Sequence, residues 1–347
     1  MEKSQTWVTS AFSPADNFRA ILDRGVIDRA QRRLTGRIWR TPVVRSDRLD
    51  EISGTRLWLK AENLQQGGSF KVRGALLAVE QLAGAGSRGV VAQSTGNHAI
   101  AVALAAREYD LPAALVLPFD ASAVKIQRIE DTGAEVVLAG TTLADRVAML
   151  DKVRSRLGYD VVDPYQNPHV VAGQGTATAE LLDQVAEQGC RLTALVVPIG
   201  GGSAIAGACL AAAGHDITVV GAEPSAVPAL TAALRERQPV TVAARPTMAD
   251  GLRPERIGDL PFALVHERVD SVLTVDEPAI ADALRAAFLD ARLVVEPAAA
   301  TALAAALARG AELGSDVGVL LSGGNVDPAL MAALLAEGGE PAPTSET

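Results

Sequence analysis

Short β-branched runs alternate with Ala/Leu-rich stretches of helical length along almost the whole chain, and this rhythm constrains the fold more than any other feature. Strands alternating with helical patterns form βαβ units, and such units build a mostly parallel sheet. The pattern predicts a strand over 89–93, a helix over 97–109, a strand over 113–117 and a helix over 123–131. A strand over 135–138, a helix over 143–156 and a strand over 160–162 complete a doubly wound unit. A second series begins with a helix over 176–187 and a strand over 194–199. After a Gly-rich turn it continues with a helix over 204–213, a strand over 217–222 and a helix over 226–237. It closes with a strand over 271–275, helices within 277–290 and 297–309, and a strand over 317–321. The segment before residue 89 joins this larger series or stands alone. The expected fold class is α/β, with two doubly wound, mostly parallel sheet domains. A length of 347 residues agrees with about two domains.

Composition narrows the function. The chain is 48% hydrophobic and 21% charged, as ordinary globular proteins are. Its net charge is -9 and it has no Lys/Arg-rich block, which excludes partners that require a positive field, nucleic acid and anionic membrane among them. At 3% aromatic residues it has no base-stacking surface to offer. Two cysteines, Cys190 and Cys209, are too few for a disulfide framework and read as small buried apolar residues. No segment reaches the ~18 uncharged apolar residues of a membrane span, and the N-terminus lacks a signal peptide's apolar stretch. The expected location is the cytoplasm, and the expected partner is a small molecule. The tail from residue 336 to 347 reads as disordered.

Four stretches carry chemistry. In Val197-Pro198-Ile199-Gly200-Gly201-Gly202-Ser203-Ala204, three glycines let backbone N–H groups approach an anion, and the following helix adds its positive N-terminal end. The loop fits a phosphate or a plain tight turn, and matches neither the GxxxxGK[ST] loop nor GxGxxG with a downstream acid. In Ser69-Phe70-Lys71-Val72-Arg73-Gly74-Ala75, a lysine stands in the first turn of a helix, where the helix end is already positive. That placement lowers its pKa toward the neutral amine that Schiff-base chemistry needs; the alternative is an exposed lysine on a solvated face. Gln93-Ser94-Thr95-Gly96-Asn97-His98-Ala99 offers hydroxyls, an amide and free backbone donors that suit a carboxylate, or else a simple helix cap. Leu320-Leu321-Ser322-Gly323-Gly324-Asn325-Val326-Asp327 ends the last strand, where Ser322 can offer a neutral hydrogen bond to a heterocycle.

In order and spacing these four stretches resemble the fold type II pyridoxal-phosphate enzymes, the tryptophan synthase β-like superfamily, in its threonine/serine dehydratase and serine racemase branch. Val72-Arg73-Gly74 favours that branch over the sulfhydrylases. The resemblance runs from about Thr41 to Asp327 and takes in Gly221-Ala222-Glu223-Pro224, Ala249-Asp250-Gly251-Leu252 and Val295-Glu296-Pro297-Ala298. It implies pyridoxal 5'-phosphate as cofactor, carried by Lys71 and lined by Phe70. Asn97 would meet the cofactor's 3-hydroxyl, Gly200, Gly201, Gly202, Ser203 and Ala204 its phosphate, and Ser322 its ring nitrogen, with Glu296 also at the cofactor. Ser94, Thr95, Gly96, Asn97 and His98 would bind the substrate carboxylate, and Lys71, Ser94 and Thr95 would be the catalytic residues. The smaller domain, 89–166, would be an insertion that closes over the site on a larger domain of 1–88 plus 167–335. The resemblance also implies a homodimer.

Two departures bear on chemistry. Ser203 stands where the family has a fourth glycine. Val227 and Ala229 stand where members with a divalent-cation site place ligands, so no metal site is expected. His98, His169, His215 and His266 have no ligand spacing. The implied reaction is β-elimination from an L-hydroxy amino acid such as threonine or serine, giving a 2-oxo acid and ammonia. The alternatives are an amino-acid racemase, a β-replacement enzyme and a non-catalytic binder of a phosphorylated metabolite.

Overall fold

The computed structural model describes residues 24–337. Its strands are β1 (Val43–Val44), β2 (Arg56–Ala61), β3 (Val90–Gln93), β4 (Ala113–Pro118) and β5 (Glu135–Ala139). They continue with β6 (Asp160–Val161), β7 (Ala194–Pro198), β8 (Thr218–Pro224), β9 (Ser271–Val275) and β10 (Asp316–Leu321). Six of them form one sheet in the order β1-β2-β10-β7-β8-β9, and four form a second in the order β5-β4-β3-β6. All pairings are parallel except that of the short edge strand β1 with β2. Central strands β4, β7 and β10 are buried at every residue, which is why β4 and β7 read as unbroken apolar runs. Edge strands β5 and β9 are mostly part-buried or exposed. The segment before residue 89 joins the larger sheet through β1 and β2, with Leu321 of β10 in register with Ala61.

The Lys71–Gly84 helix joins the two sheets. Its Val72, Ala75, Leu76 and Val79 share one core with Ala99, Ile100 and Val102 of the Asn97–Glu108 helix and with Val90 and Leu115 beneath. The Pro297–Leu313 helix packs on the larger sheet through Ala299, Ala302, Leu303 and Ala306.

Two helix starts differ from expectation. The helix ending at Glu187 begins at Pro168, eight residues before Thr176, because Asn167 caps it and proline is tolerated at N1. Gly173 and Gly175 lie inside it despite their poor helix propensity. A Cβ on Gly173 would sit 2.5 Å from the Arg73 carbonyl, and one on Gly175 2.6 Å from the Gly207 carbonyl, so close helix crossings need glycine there. The helix expected from Ala226 begins at Ala229, after Pro228. Ala336 and Glu337 end the Pro328–Glu337 helix and are not part of a disordered tail; the expectation for 338–347, like the signal-peptide argument for the first residues, falls outside the described residues. Cys209 is buried, whereas Cys190 is only partly so.

Candidate active site

Five helices begin around one cavity of about 280 Å³, at Lys71, Asn97, Leu143, Ser203 and Pro297. Their positive N-terminal ends favour anions there. The cavity lies at the carboxyl ends of the parallel strands, where open α/β sheets bind ligands. Phe70, Lys71, Ser94, Thr95, Asn97, His98, Gly200, Gly201, Gly202, Ser203, Ala204, Glu296 and Ser322 all line it. Gly96 does not; its φ of +155° lets the loop turn beneath Lys125, whose side chain a Cβ would strike.

The Lys71 turn is tied to the last strand. Phe70 N–H donates to the Ser322 carbonyl at 3.1 Å and Gly324 N–H to the Gly68 carbonyl at 2.9 Å. Lys71 Nζ lies 3.5 Å from Ser203 Oγ and 4.9 Å from the Phe70 ring centroid. Among the described residues it has no ion-pair partner. Burial lowers its pKa to about 8 against the opposing pull of Glu296 and Asp163. Two residues further on, Arg73 lies on the other side of the helix start in a closed network. It bonds both oxygens of Glu62 and of Glu180, each at 2.8 Å, while Lys60 Nζ takes Glu180, Gln184 and the Thr41 carbonyl. Burial disfavours the Arg73 charge, and the two carboxylates outweigh it, so its pKa is raised.

Glu296, 2% exposed, accepts from Asn97 Nδ2 at 2.6 Å, and its Oε2 has no partner among the described residues. Burial pushes its pKa up to about 7, with Lys125 pulling the other way. Buried His98 bonds the Val162 carbonyl through Nε2 and leaves Nδ1 unpartnered; burial brings its pKa down to about 3, so it is neutral. Ser94 Oγ accepts from Gly96 N–H at 2.9 Å, and Thr95 Oγ1 faces the Asp250 carbonyl at 3.5 Å.

Residues that the sequence did not reveal complete the wall. Lys125 reaches Asp250 at 2.5 Å and so ties the smaller sheet's layer to the loop after Ala249. The Tyr165 ring leaves no room for a Cβ on Gly201, which would lie 2.1 Å away. Burial raises the Tyr165 pKa to about 12. Arg146 lines the cavity at 8% exposure and, among the described residues, bonds only neutral acceptors, Gln93 Oε1 at 3.2 Å and the Thr141 carbonyl at 2.9 Å. Burial lowers its pKa. The available signal was position: Arg146, Leu150 and Val153 form one buried stripe of the Leu143–Leu157 helix, so this arginine occupies an apolar register.

Pyridoxal phosphate fits these residues. The run Gly200–Gly202 is a bare-backbone cradle: a Cβ on Gly200 would meet the Gly251 carbonyl at 2.9 Å, and Gly202 has φ +98°. A helix N-terminus opens from it at Ser203. The partnerless Glu296 Oε2 and His98 Nδ1 are buried polar atoms of the kind a ligand or water satisfies. Among the described residues no cluster of three His, Cys, Asp or Glu side chains could hold a metal ion, and no helix is long and apolar enough to cross a membrane.

Comparison with known proteins agrees. The family model for pyridoxal-phosphate dependent enzymes matches residues 34–323. The L-threonine ammonia-lyase of Thermotoga maritima is 36% identical over 90% of this chain and 78% of that one. The L-threo-3-hydroxyaspartate ammonia-lyase of Saccharomyces cerevisiae is 37% identical over 91% of this chain and 96% of that one. The structure of maize serine racemase superposes with a TM-score of 0.82 at 34% identity, over 91% of this chain and 97% of that one. The chain is thus an enzyme, a lyase that uses pyridoxal 5'-phosphate. Glycine cradle, unpaired lysine and matched length together mean that the chain belongs to the pyridoxal-phosphate dependent enzymes, in the fold type II branch of threonine/serine dehydratases and serine racemases.

Proposed function

We propose that this enzyme eliminates the β-hydroxyl of an L-3-hydroxy amino acid to give a 2-oxo acid and ammonia, and that its preferred substrate carries a second carboxylate, as 3-hydroxyaspartate does. The observation that carries the substrate class is Arg146, a buried guanidinium at the cavity wall that bonds only neutral acceptors among the described residues. Asp120 and Asp145 offset its charge only from beyond ion-pair distance, a buried cation so weakly compensated is costly, and a substrate carboxylate removes that cost.

In this reading Gly200 to Ala204 hold the cofactor phosphate, Asn97 its 3-oxygen, Ser322 its ring nitrogen, and Phe70 packs against its ring. When bound, pyridoxal phosphate supplies the electron sink that acidifies the substrate's α-hydrogen. Lys71, poised near pKa 8 without a carboxylate partner, takes that proton at Nζ. The Ser94–His98 loop orients the α-carboxylate with hydroxyl and backbone donors, and neutral His98 adds no charge there. The Lys125–Asp250 pair holds the 89–166 layer over the cavity and limits water entry. The enzyme is a cytoplasmic homodimer in the same proposal, which sedimentation tests.

Steady-state kinetics test the substrate class. L-threo-3-hydroxyaspartate is expected to exceed L-serine and L-threonine in kcat/KM. Arg146→Met should lower the hydroxyaspartate value by about 10²-fold, the scale of a lost charge-assisted pair, and leave serine within threefold. Threonine preference that Arg146→Met leaves untouched overturns the reading.

Racemisation is the second reading, because Thr95 brings a hydroxyl to the cavity. Its β-branch restricts χ1 and its Oγ1 faces the Asp250 carbonyl, which makes it a poor proton donor to Cα. Elimination should outpace racemisation by at least about tenfold, ~1.4 kcal/mol in barrier. Deuterium wash-in with chiral analysis of unreacted substrate measures the ratio, and D-enantiomer formed as fast as oxo acid overturns the preference for elimination over racemisation.

A further inference from the structure

Asn325, on the loop after β10, is 4% exposed. Its amide meets two groups that can each act in only one sense. The Gly67 carbonyl only accepts, and takes Asn325 Nδ2 at 2.8 Å; the Arg128 guanidinium only donates, and meets Oδ1. The amide orientation therefore follows from the chemistry of its partners. The second hydrogen on Asn325 Nδ2 goes to Asn97 Oδ1 at 2.9 Å. That turns Asn97 Nδ2 toward Glu296 Oε1 and leaves one Nδ2 hydrogen unspent in the cavity. Gly68, at φ +73°, makes room: a Cβ there would lie 2.3 Å from Asn325 Oδ1.

Glu296 cannot set this direction by itself. Held near pKa 7, it accepts when ionised and donates when protonated, so it tolerates either face of the Asn97 amide. We infer that Asn325 is a positioning residue that fixes the Asn97 amide with its donor toward the cavity, so that Asn97 can donate to the 3-oxygen of pyridoxal phosphate. This rests on the reading that Asn97 meets that oxygen. Losing Asn325 frees the Asn97 amide to turn over, and an amide oxygen facing the 3-oxygen is a worse partner than an N–H.

Equilibrium dialysis of the cofactor-free protein against pyridoxal phosphate and against 3-deoxypyridoxal phosphate tests the inference. The ratio of the two affinities isolates the 3-oxygen from phosphate binding and general folding. Asn97→Ala and Asn325→Ala should each reduce the wild-type ratio by about tenfold, the scale of one hydrogen bond, and the double variant no further. If Asn325→Ala does not fold, Asn325→Ser replaces it, with the same loss expected because one hydroxyl cannot serve both Gly67 and Asn97. A wild-type ratio in the Asn325 variant beside a lost one in Asn97→Ala overturns the inference alone. A wild-type ratio in Asn97→Ala overturns the reading of Asn97 and the inference with it.

Discussion

Lys71 and Arg73 are two residues apart in the first turn of one helix, both are cations, and the protein treats them in opposite ways. Arg73 faces the interior, where Glu62 and Glu180 take its guanidinium through four hydrogen bonds and Lys60 closes the network. Lys71 faces the cavity with Ser203 Oγ at 3.5 Å and no carboxylate in ion-pair distance among the described residues. One charge is neutralised and holds the helix start; the other is only weakly offset by the more distant Glu296 and Asp163, and its amine is correspondingly easy to deprotonate. A buried charge serves structure when every one of its donors is matched, and chemistry when it is not.

The largest expected effect breaks the Lys71 side. Lys71→Ala should reduce turnover by at least about 10²-fold while leaving cofactor binding through the Gly200–Ala204 cradle, measured by dialysis. Retention of more than a few per cent of wild-type activity would remove Lys71 from the chemistry. Next comes the Arg73 side. Arg73→Met leaves the buried Glu62 carboxylate with no cation in ion-pair distance among the described residues and part-buried Glu180 with Lys60 alone, and urea unfolding of the cofactor-free protein should show a loss of about 3–5 kcal/mol, the usual cost of halving a buried ion pair. Arg73→Lys keeps the charge but not the two-pronged geometry and should fall between. A loss under about 1 kcal/mol for Arg73→Met would mean that the network carries no load.

The smallest effect separates the two by pH. Lys71 is depressed to about 8 in the folded protein and titrates near 10.4 when unfolded, so between these values the unfolded chain binds more protons. Stability should then rise with pH across that window in wild type relative to Lys71→Met, with the difference flat below about 8. Arg73, its pKa raised, stays charged throughout and gives no such slope. An identical pH dependence in wild type and Lys71→Met would show that the amine is not held neutral by its surroundings.

Chelation sharpens the same contrast at the Glu223 carboxylate. It is fully buried and accepts from the Leu230 and Thr231 N–H groups at 2.9 and 3.0 Å, so a helix start already occupies it. Activity should not change on EDTA treatment, and loss restored by magnesium would mean that a cation site is built from other residues.

The sequence by itself determined the alternation of strand and helix, the lysine, and the glycine and Ser-Thr-Gly-Asn turns, because each is written in periodicity or in a backbone demand spanning a few neighbouring residues. It put strands β3 to β10 within a few residues of their observed ends. Local patterning could not extend the Pro168–Glu187 helix through Gly173 and Gly175, since those glycines answer to Arg73 and Gly207 on other helices. The same holds for Arg146, which reads as a solvated charge until the Leu143–Leu157 helix packs its stripe inward. The orientation of Asn325 is decided by Gly67, 258 residues earlier, and by Arg128, 197 residues earlier. Hydrogen-bond direction and charge compensation belong to pairs of groups, and only folding brings the members of those pairs together.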